Sequence, residues 1–230
     1  MKTAAVIQAR MGSTRLPGKT LRPIVGETML ARVLARVRRA ALLDQVIVAT
    51  TTAVADEAIV AECQRLGVVY FRGCEEDVLD RYYQTAKMLD VDVTVRITSD
   101  CPLIEPFIID QVVAIFHETQ ADYASNTLAR TFPRGLDVEV FRTSALFQAW
   151  QMAKEPYQRS HVTPYIYQNP ELFRLEGVIA DKDYSHHRWT VDTLADWQLV
   201  TAIYEHFPPG NEFSWQDVLQ LMRQQPSLQT

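Results

Sequence analysis

Ala4-Ala5-Val6-Ile7, followed after Gln8 and Ala9 by Arg10-Met11-Gly12-Ser13-Thr14-Arg15-Leu16-Pro17-Gly18-Lys19, is the stretch on which the fold turns. The apolar tetrapeptide reads as a short buried strand, and the residues after it are turn chemistry. Working outward, Leu30, Val33, Leu34, Val37 and Ala41 recur at helical spacing after Thr28, and residues 45–50 form a second β-branched run. Strand, loop, helix and strand make one βαβ unit. The pattern repeats with a helix over 55–66, a strand over 68–71, a helix over 77–89 and a strand over 92–97. Such alternation predicts an α/β fold with a sheet covered on both faces, a three-layer α/β/α sandwich whose sheet is mixed but mainly parallel.

After Pro106 a helix to about His117 is expected, and then the rhythm changes. Strands are expected over 122–124, 136–141, 172–180 and 185–190, with helices over 144–152, 160–167, 194–206 and 215–224. No low-complexity linker or repeat interrupts the 230 residues. The expectation is one domain, with a nucleotide-binding half over 1–120 and an acceptor and dimerisation half over 121–230.

The composition, 47% hydrophobic and 22% charged with mean hydropathy −0.11, is that of a globular chain and excludes disorder and fibre. No apolar run reaches the roughly 18 residues of a membrane span, and the first residues are too short for a secretory core, so a cytoplasmic location is expected. Cys63, Cys74 and Cys101 are odd in number and lack Cys-x-x-Cys spacing, which suggests neither disulfides nor zinc. Net charge is −5, yet residues 1–43 hold nine Lys or Arg against Glu27 alone. A basic segment on an acidic chain suits a compact anion better than a nucleic-acid backbone.

Three of the eight glycines, Gly12, Gly18 and Gly26, fall within fifteen residues among Arg10, Arg15, Lys19 and Arg22. A P-loop needs four residues between its first glycine and Gly-Lys, and here there are five, with Pro23 too near for a helix to begin at Lys19. Gly-x-Gly-x-x-Gly is absent as well. What remains is a basic turn at the carboxyl end of a strand, where open α/β sheets bind ligands, and its chemistry suits a polyphosphate. Arg32, Arg36, Arg38 and Arg39 lie off the apolar stripe of the first helix and read as its solvated face.

The segment from Gln8 through Ala9 and Arg10 to Lys19 resembles the signature loop of the sugar cytidylyltransferases, the group of 3-deoxy-manno-octulosonate and acylneuraminate cytidylyltransferases. Its spore-coat-polysaccharide type is the most similar subgroup. The resemblance implies a nucleotide-diphospho-sugar-transferase-like fold and a loop that wraps the triphosphate of CTP with Arg10, Gly12, Ser13, Arg15 and Lys19. It continues at Thr98-Ser99-Asp100-Cys101-Pro102 and at Thr190-Val191-Asp192-Thr193, similar to the two segments whose aspartates bind Mg²⁺. The octulosonate members carry Gly-Asp-Glu-Pro where this chain has Ser99-Asp100-Cys101-Pro102. By the same resemblance Arg72-Gly73 lies near the cytosine or ribose, with Thr50 and Thr51 beside it.

Asp100 and Asp192, each expected at a strand end, are together what Mg²⁺ needs, since it fills its octahedron with phosphate and water. Singly, each is as readily a helix cap, Asp192 for the helix beginning near Leu194. Asp137 and Glu139 alternate along a strand, so both face one way, either to solvent or to sugar hydroxyls. The preceding Gly135 turn resembles the family's sugar-side loop. Arg159 and His161 have family counterparts near the acceptor, and Arg188, with His186 and His187, forms a second candidate cluster for an acidic sugar. The implied partners are CTP and a sugar or sugar acid in a homodimer, without nucleic acid or membrane. In the expected reaction a sugar hydroxyl attacks the α-phosphorus as pyrophosphate departs, with Lys19, Arg10 and Mg²⁺ on Asp100 and Asp192 as the catalytic charges. Two alternatives stand beside it: a glycosyltransferase using Asp90-Val91-Asp92 as its Asp-x-Asp, and a non-catalytic nucleotide or sugar sensor.

Overall fold

The structure is a computed structural model describing residues 1–207, 209 and 212–229. The first half follows the expected rhythm. Strand β1 (Thr3–Gln8) leads through the basic loop and a two-residue hairpin, β2 (Pro23–Ile24) and β3 (Glu27–Thr28), into helix α1 (Met29–Val37). Then come β4 (Gln45–Thr51), α2 (Glu57–Arg65), β5 (Val69–Gly73), α3 (Val78–Leu89), β6 (Val93–Thr98) and α4 (Pro106–Thr119). The second half holds β7 (Tyr123–Ser125), β8 (Glu139–Arg142), α5 (Thr143–Met152), α6 (Pro156–His161), α7 (Pro164–Tyr167), β9 (Leu175–Gly177), α8 (Leu194–His206) and α9 (Trp215–Gln224).

Seven strands form one sheet in the order β5-β4-β1-β6-β8-β7-β9. The β5-β4-β1-β6 part is parallel, β8 is antiparallel to both its neighbours, and β9 is parallel to β7. Alternate residues of β1 explain the layers. Ala5 and Ile7 pack with α1 and α4 on one face, while Ala4 and Val6 pack with α3 and α5 on the other. The chain leaves β1 for β4 on one side and returns to β6 on the other, so a crevice opens at the carboxyl ends of β1 and β6, the switch point where such sheets take ligands.

The second half departs from expectation in three places. The strand expected over 172–180 shrinks to three residues, and 185–190 forms no strand, only a single bridge from Arg188 to Arg134. Gly135 explains the bridge. Its φ is +105°, and a Cβ there would stand 2.7 Å from the Trp189 carbonyl carbon, so the two backbones meet face on at one point instead of zipping into a ladder. The helix expected over 160–167 breaks at Val162, whose φ of +74° cannot continue a helix, and Pro164 then opens a second helix at its first position.

The solvated face assigned to α1 is corrected for two of its four arginines. Arg36 is fully buried: its guanidinium donates to the Ile104 carbonyl at 2.7 Å and the Phe213 carbonyl at 3.0 Å and pairs with Glu105 at 3.4 Å. Arg32 donates to the carbonyls of Ile24 and Val25 at 3.0 and 2.5 Å. Five fixed donors let a guanidinium satisfy carbonyls that loops bring against a helix. Arg38 and Arg39 are exposed as expected.

Candidate active site

The basic loop is held in shape from three directions. Asp56, buried behind it, accepts the Met11 N–H at 2.7 Å and the Thr51 hydroxyl at 2.5 Å, tying the loop to the end of β4. The Thr20 hydroxyl donates to the Arg10 carbonyl at 2.9 Å, and Gly18 takes a left-handed φ of +69° so that its N–H turns back to the Met11 carbonyl. Among the described residues the N–H groups of Gly12, Thr14 and Arg15 have no protein acceptor, a set of donors suited to an anion.

The loop rims a cavity of about 1050 Å³ at the carboxyl ends of β1 and β6. Of the residues singled out in the sequence, Ala9, Arg10, Gly12, Ser13, Arg15, Lys19, Asp100, Asp137, Arg159, His161 and Asp192 all line it. The Lys19 ammonium sits at its floor and donates to Asp100 at 2.8 Å, to the Val191 carbonyl at 2.7 Å and to Asp192 at 2.9 Å. Burial pushes its pKa down, but the charges and hydrogen bonds of the two aspartates outweigh this and hold it above the ordinary 10.5. Asp192 is held below its ordinary value: burial raises it, and the bonds from Lys19 and Arg188 with the charge of Arg15 more than reverse that. Asp192 is not the cap of α8, for Thr193 and Asp196 form that capping box, leaving the Asp192 carboxylate to the cavity.

One ammonium nitrogen bonded to both Asp100 and Asp192 tests the fit of a cation directly: the two carboxylates converge on a point that a positive charge already occupies. Two such oxygens, with phosphate and water completing the shell, fit Mg²⁺. Among the described residues no group of three His, Cys, Asp or Glu could hold a metal by itself, so a metal held by this pair would need further ligands from outside the protein.

A smaller chamber of about 430 Å³ continues from the first, sharing Arg96, Thr98, Asp137, Tyr157 and His161 with it. Arg96 and Glu139 are cross-strand partners on β6 and β8 and form an ion pair. Glu139 also accepts from the Tyr123 hydroxyl at 2.8 Å and the Thr163 hydroxyl at 2.5 Å, so it is a buried hub at the chamber wall, not an exposed face. Asp137 takes both forks of the Arg130 guanidinium, at 2.6 and 2.8 Å. Arg159 pairs with Asp77, which caps α3.

Six expected residues lie outside both chambers. Thr50 and Thr51 are fully buried with their hydroxyls on Asp56. Arg72 turns back to the Thr51 carbonyl at 2.9 Å and to Glu57 at 2.5 Å, where the strand end itself supplies its partners. Gly73 lies against the Arg81 stem, and Gly135 makes the close approach to Trp189. Arg188 acts through Asp192, which it pairs at 2.5 Å. Several residues that sequence reasoning missed line the site: Glu75, Asp77, Arg81, Arg96, Tyr157 and, in the smaller chamber, Arg130. A charge inside the buried run of β6 was a signal for Arg96; Arg81, hidden on the covered side of α3, gave none. Asp90-Val91-Asp92 stands at the opposite end of β6, where Asp92 accepts the Lys2 N–H at 2.7 Å, so it cannot serve this cavity. Burial, then the Asp100 charge, holds the Cys101 thiol well above its ordinary pKa, in keeping with a packing role.

A polar crevice at the switch point of a mixed α/β sheet, with a basic loop facing paired carboxylates, is the architecture of the nucleotidyltransferase fold. The chain belongs to the cytidylyltransferase family, whose sequence profile matches residues 4–206. It is 43% identical to an uncharacterised protein of Methanocaldococcus jannaschii, over 90% of this chain and 85% of that one. A spore coat polysaccharide biosynthesis protein of Bacillus subtilis is 32% identical, over 98% of this chain and 95% of its own. The solved structure of a cytidylyltransferase from Leptospira borgpetersenii superposes with a TM-score of 0.95 at 36% identity, covering 99% of this chain and 96% of that one.

Proposed function

We propose that the protein transfers the cytidylyl group of CTP to a hydroxyl of a sugar or sugar acid, releasing pyrophosphate, in the synthesis of a surface polysaccharide or glycan. The observation that carries this reading is the convergence of Lys19, Arg15, Asp100 and Asp192 on one point of the larger cavity, beside the free loop amides. The spore coat relative supports the polysaccharide part.

In this reading the amides of Gly12, Thr14 and Arg15 and the side chains of Arg10, Arg15 and Lys19 hold the triphosphate. The acceptor sits in the smaller chamber, where Thr98, Asp137 and Tyr157 stand at the junction to meet its hydroxyls. The attacking oxygen and the departing pyrophosphate lie in line across the α-phosphorus. Charge that builds on the phosphoryl oxygens is met by fixed cations, which do not reorganise during reaction. Asp100 and Asp192 would hold Mg²⁺, which supplies Lewis-acid neutralisation of the phosphate oxygens when bound.

The test is pyrophosphate release measured with each of the four NTPs, Mg²⁺ and a panel of 3-deoxy-manno-octulosonate, N-acetylneuraminate and neutral hexoses. Release with CTP and a panel member is expected. Preference for another NTP sinks the cytidylyl part for this chain.

A further inference from the structure

Val162 has φ +74° and ψ −62°, and the Thr163 N–H closes onto the His161 carbonyl at 2.9 Å. This is a γ-turn at a fully buried β-branched residue, a strained conformation that persists only where its surroundings impose it, and such strain clusters at working sites. The turn does two things. It sends the Thr163 hydroxyl to Glu139 at 2.5 Å, and it turns His161 into the junction of the two chambers. There the Tyr157 ring packs against the imidazole at 4.4 Å between centroids. Among the described residues the ring nitrogens of His161 bond to no protein group, whereas the carboxylates in the smaller chamber are committed, Asp137 to Arg130 and Glu139 to Arg96, Tyr123 and Thr163.

We propose that His161 accepts the proton of the acceptor hydroxyl as that oxygen attacks the α-phosphorus of CTP, an inference that rests on the acceptor reading above. The O–H electron pair forms the new O–P bond, the bond from the α-phosphorus to the bridging oxygen breaks, and pyrophosphate leaves with that pair. The imidazolium then returns its proton to solvent. The charged and titratable groups around His161 are Arg96 on β6, Arg130 and Asp137 before β8, Glu139 on β8, Tyr157 on α6 and Tyr167 on α7. Burial and then Arg96 lower its pKa from the ordinary 6.5, against the pull of Glu139, a direction that favours the neutral, proton-accepting imidazole.

Wild type, His161→Gln and His161→Ala are compared for pyrophosphate release with CTP, Mg²⁺ and the best acceptor of the panel, and for CTP binding by calorimetry. Both variants are expected to bind CTP within twofold of wild type and to lose about 10² or more in kcat. The acid limb of the wild-type pH profile should disappear in His161→Gln, and added imidazole should restore rate to His161→Ala. A His161→Gln rate within threefold of wild type, or no rescue by imidazole, overturns the proposal while leaving the acceptor reading intact. Absence of release by wild type across the whole panel overturns the acceptor reading and this inference with it.

Discussion

The Lys19 ammonium has three protons and gives them to Asp100, Val191 and Asp192. A triphosphate must therefore draw it out of an existing network, and the Lys19 contribution is an exchange of acceptors, charge-assisted on both sides. Arg15, more exposed and ion-paired to Asp192 at 3.0 Å, exchanges more freely. Lys19→Ala and Arg15→Ala are each expected to weaken binding of a non-hydrolysable CTP analogue about tenfold or more by calorimetry, whereas exposed Arg39→Ala changes it less than about threefold. Asp100→Asn and Asp192→Asn should retain the fold and lose about 10² to 10³ in turnover with Mg²⁺, a carboxamide being a neutral and poorer ligand. The pH behaviour of stability has a definite sign. The depressed pKa of Asp192 contributes stability above the ordinary 3.8, lost as pH falls through the lower folded value; the raised pKa of Lys19 contributes below 10.5, lost as pH rises through the higher one. The stability gap between wild type and Asp192→Asn should thus be constant from about pH 5 to 9 and shrink in acid, as urea unfolding at several pH values will report.

At the scale of elements, the loop that carries Asp137 is set by Gly135. Alanine there meets the Trp189 carbonyl carbon at 2.7 Å and the Thr190 nitrogen at 2.8 Å, both backbone atoms that cannot swing aside. Gly135→Ala should cost about 1–3 kcal/mol for the backbone conformation alone. Helix α1 makes the second case: Arg36→Ala strips partners from the Ile104 and Phe213 carbonyls and from Glu105, at a cost of about 3–5 kcal/mol in urea unfolding, where exposed Arg39→Ala costs almost nothing. These two elements also mark the limit of what local sequence carries. The helices Leu194–His206 and Trp215–Gln224 fall where periodicity and capping predict them, because their signals are contained within a dozen residues. The convergence of the loop with Asp100 was legible from strand-end position and motif; that with Asp192 was legible from the motif alone, since residues 185–190 form no strand. The burial of Arg36 was not, since the carbonyls it satisfies lie 68 and 177 positions away. Arg72 misled for a related reason: strand-end position does not say whether a side chain faces the crevice or folds back onto its neighbour strand.

For the whole molecule, the cavity draws walls from both halves of the chain: the basic loop and Asp100 from the first, Asp137, Arg159, His161 and Asp192 from the second. The halves already share β6–β8 pairing and the bond from the Val191 N–H to the Asp100 carbonyl at 2.8 Å. A ligand spanning both adds contacts that the unfolded chain cannot make, so its binding free energy raises global stability. At a concentration about 100 times its dissociation constant a ligand adds about 2.7 kcal/mol. For a chain of this size each kcal/mol moves Tm by roughly 2–4 °C, so CTP with Mg²⁺ should raise Tm by about 5–10 °C. If the loop amides meet the triphosphate as proposed, they cannot distinguish bases, so at equal concentration each of the other three NTPs should give a smaller positive shift through the triphosphate alone. In Lys19→Ala every shift should shrink together, because the phosphate contacts are common to all four. Differential scanning with the four nucleotides separates the two contributions. Equal shifts for all NTPs in the wild type would assign the site to triphosphate recognition without base selection, and a CTP shift that survives Lys19→Ala undiminished would remove Lys19 from the phosphate site.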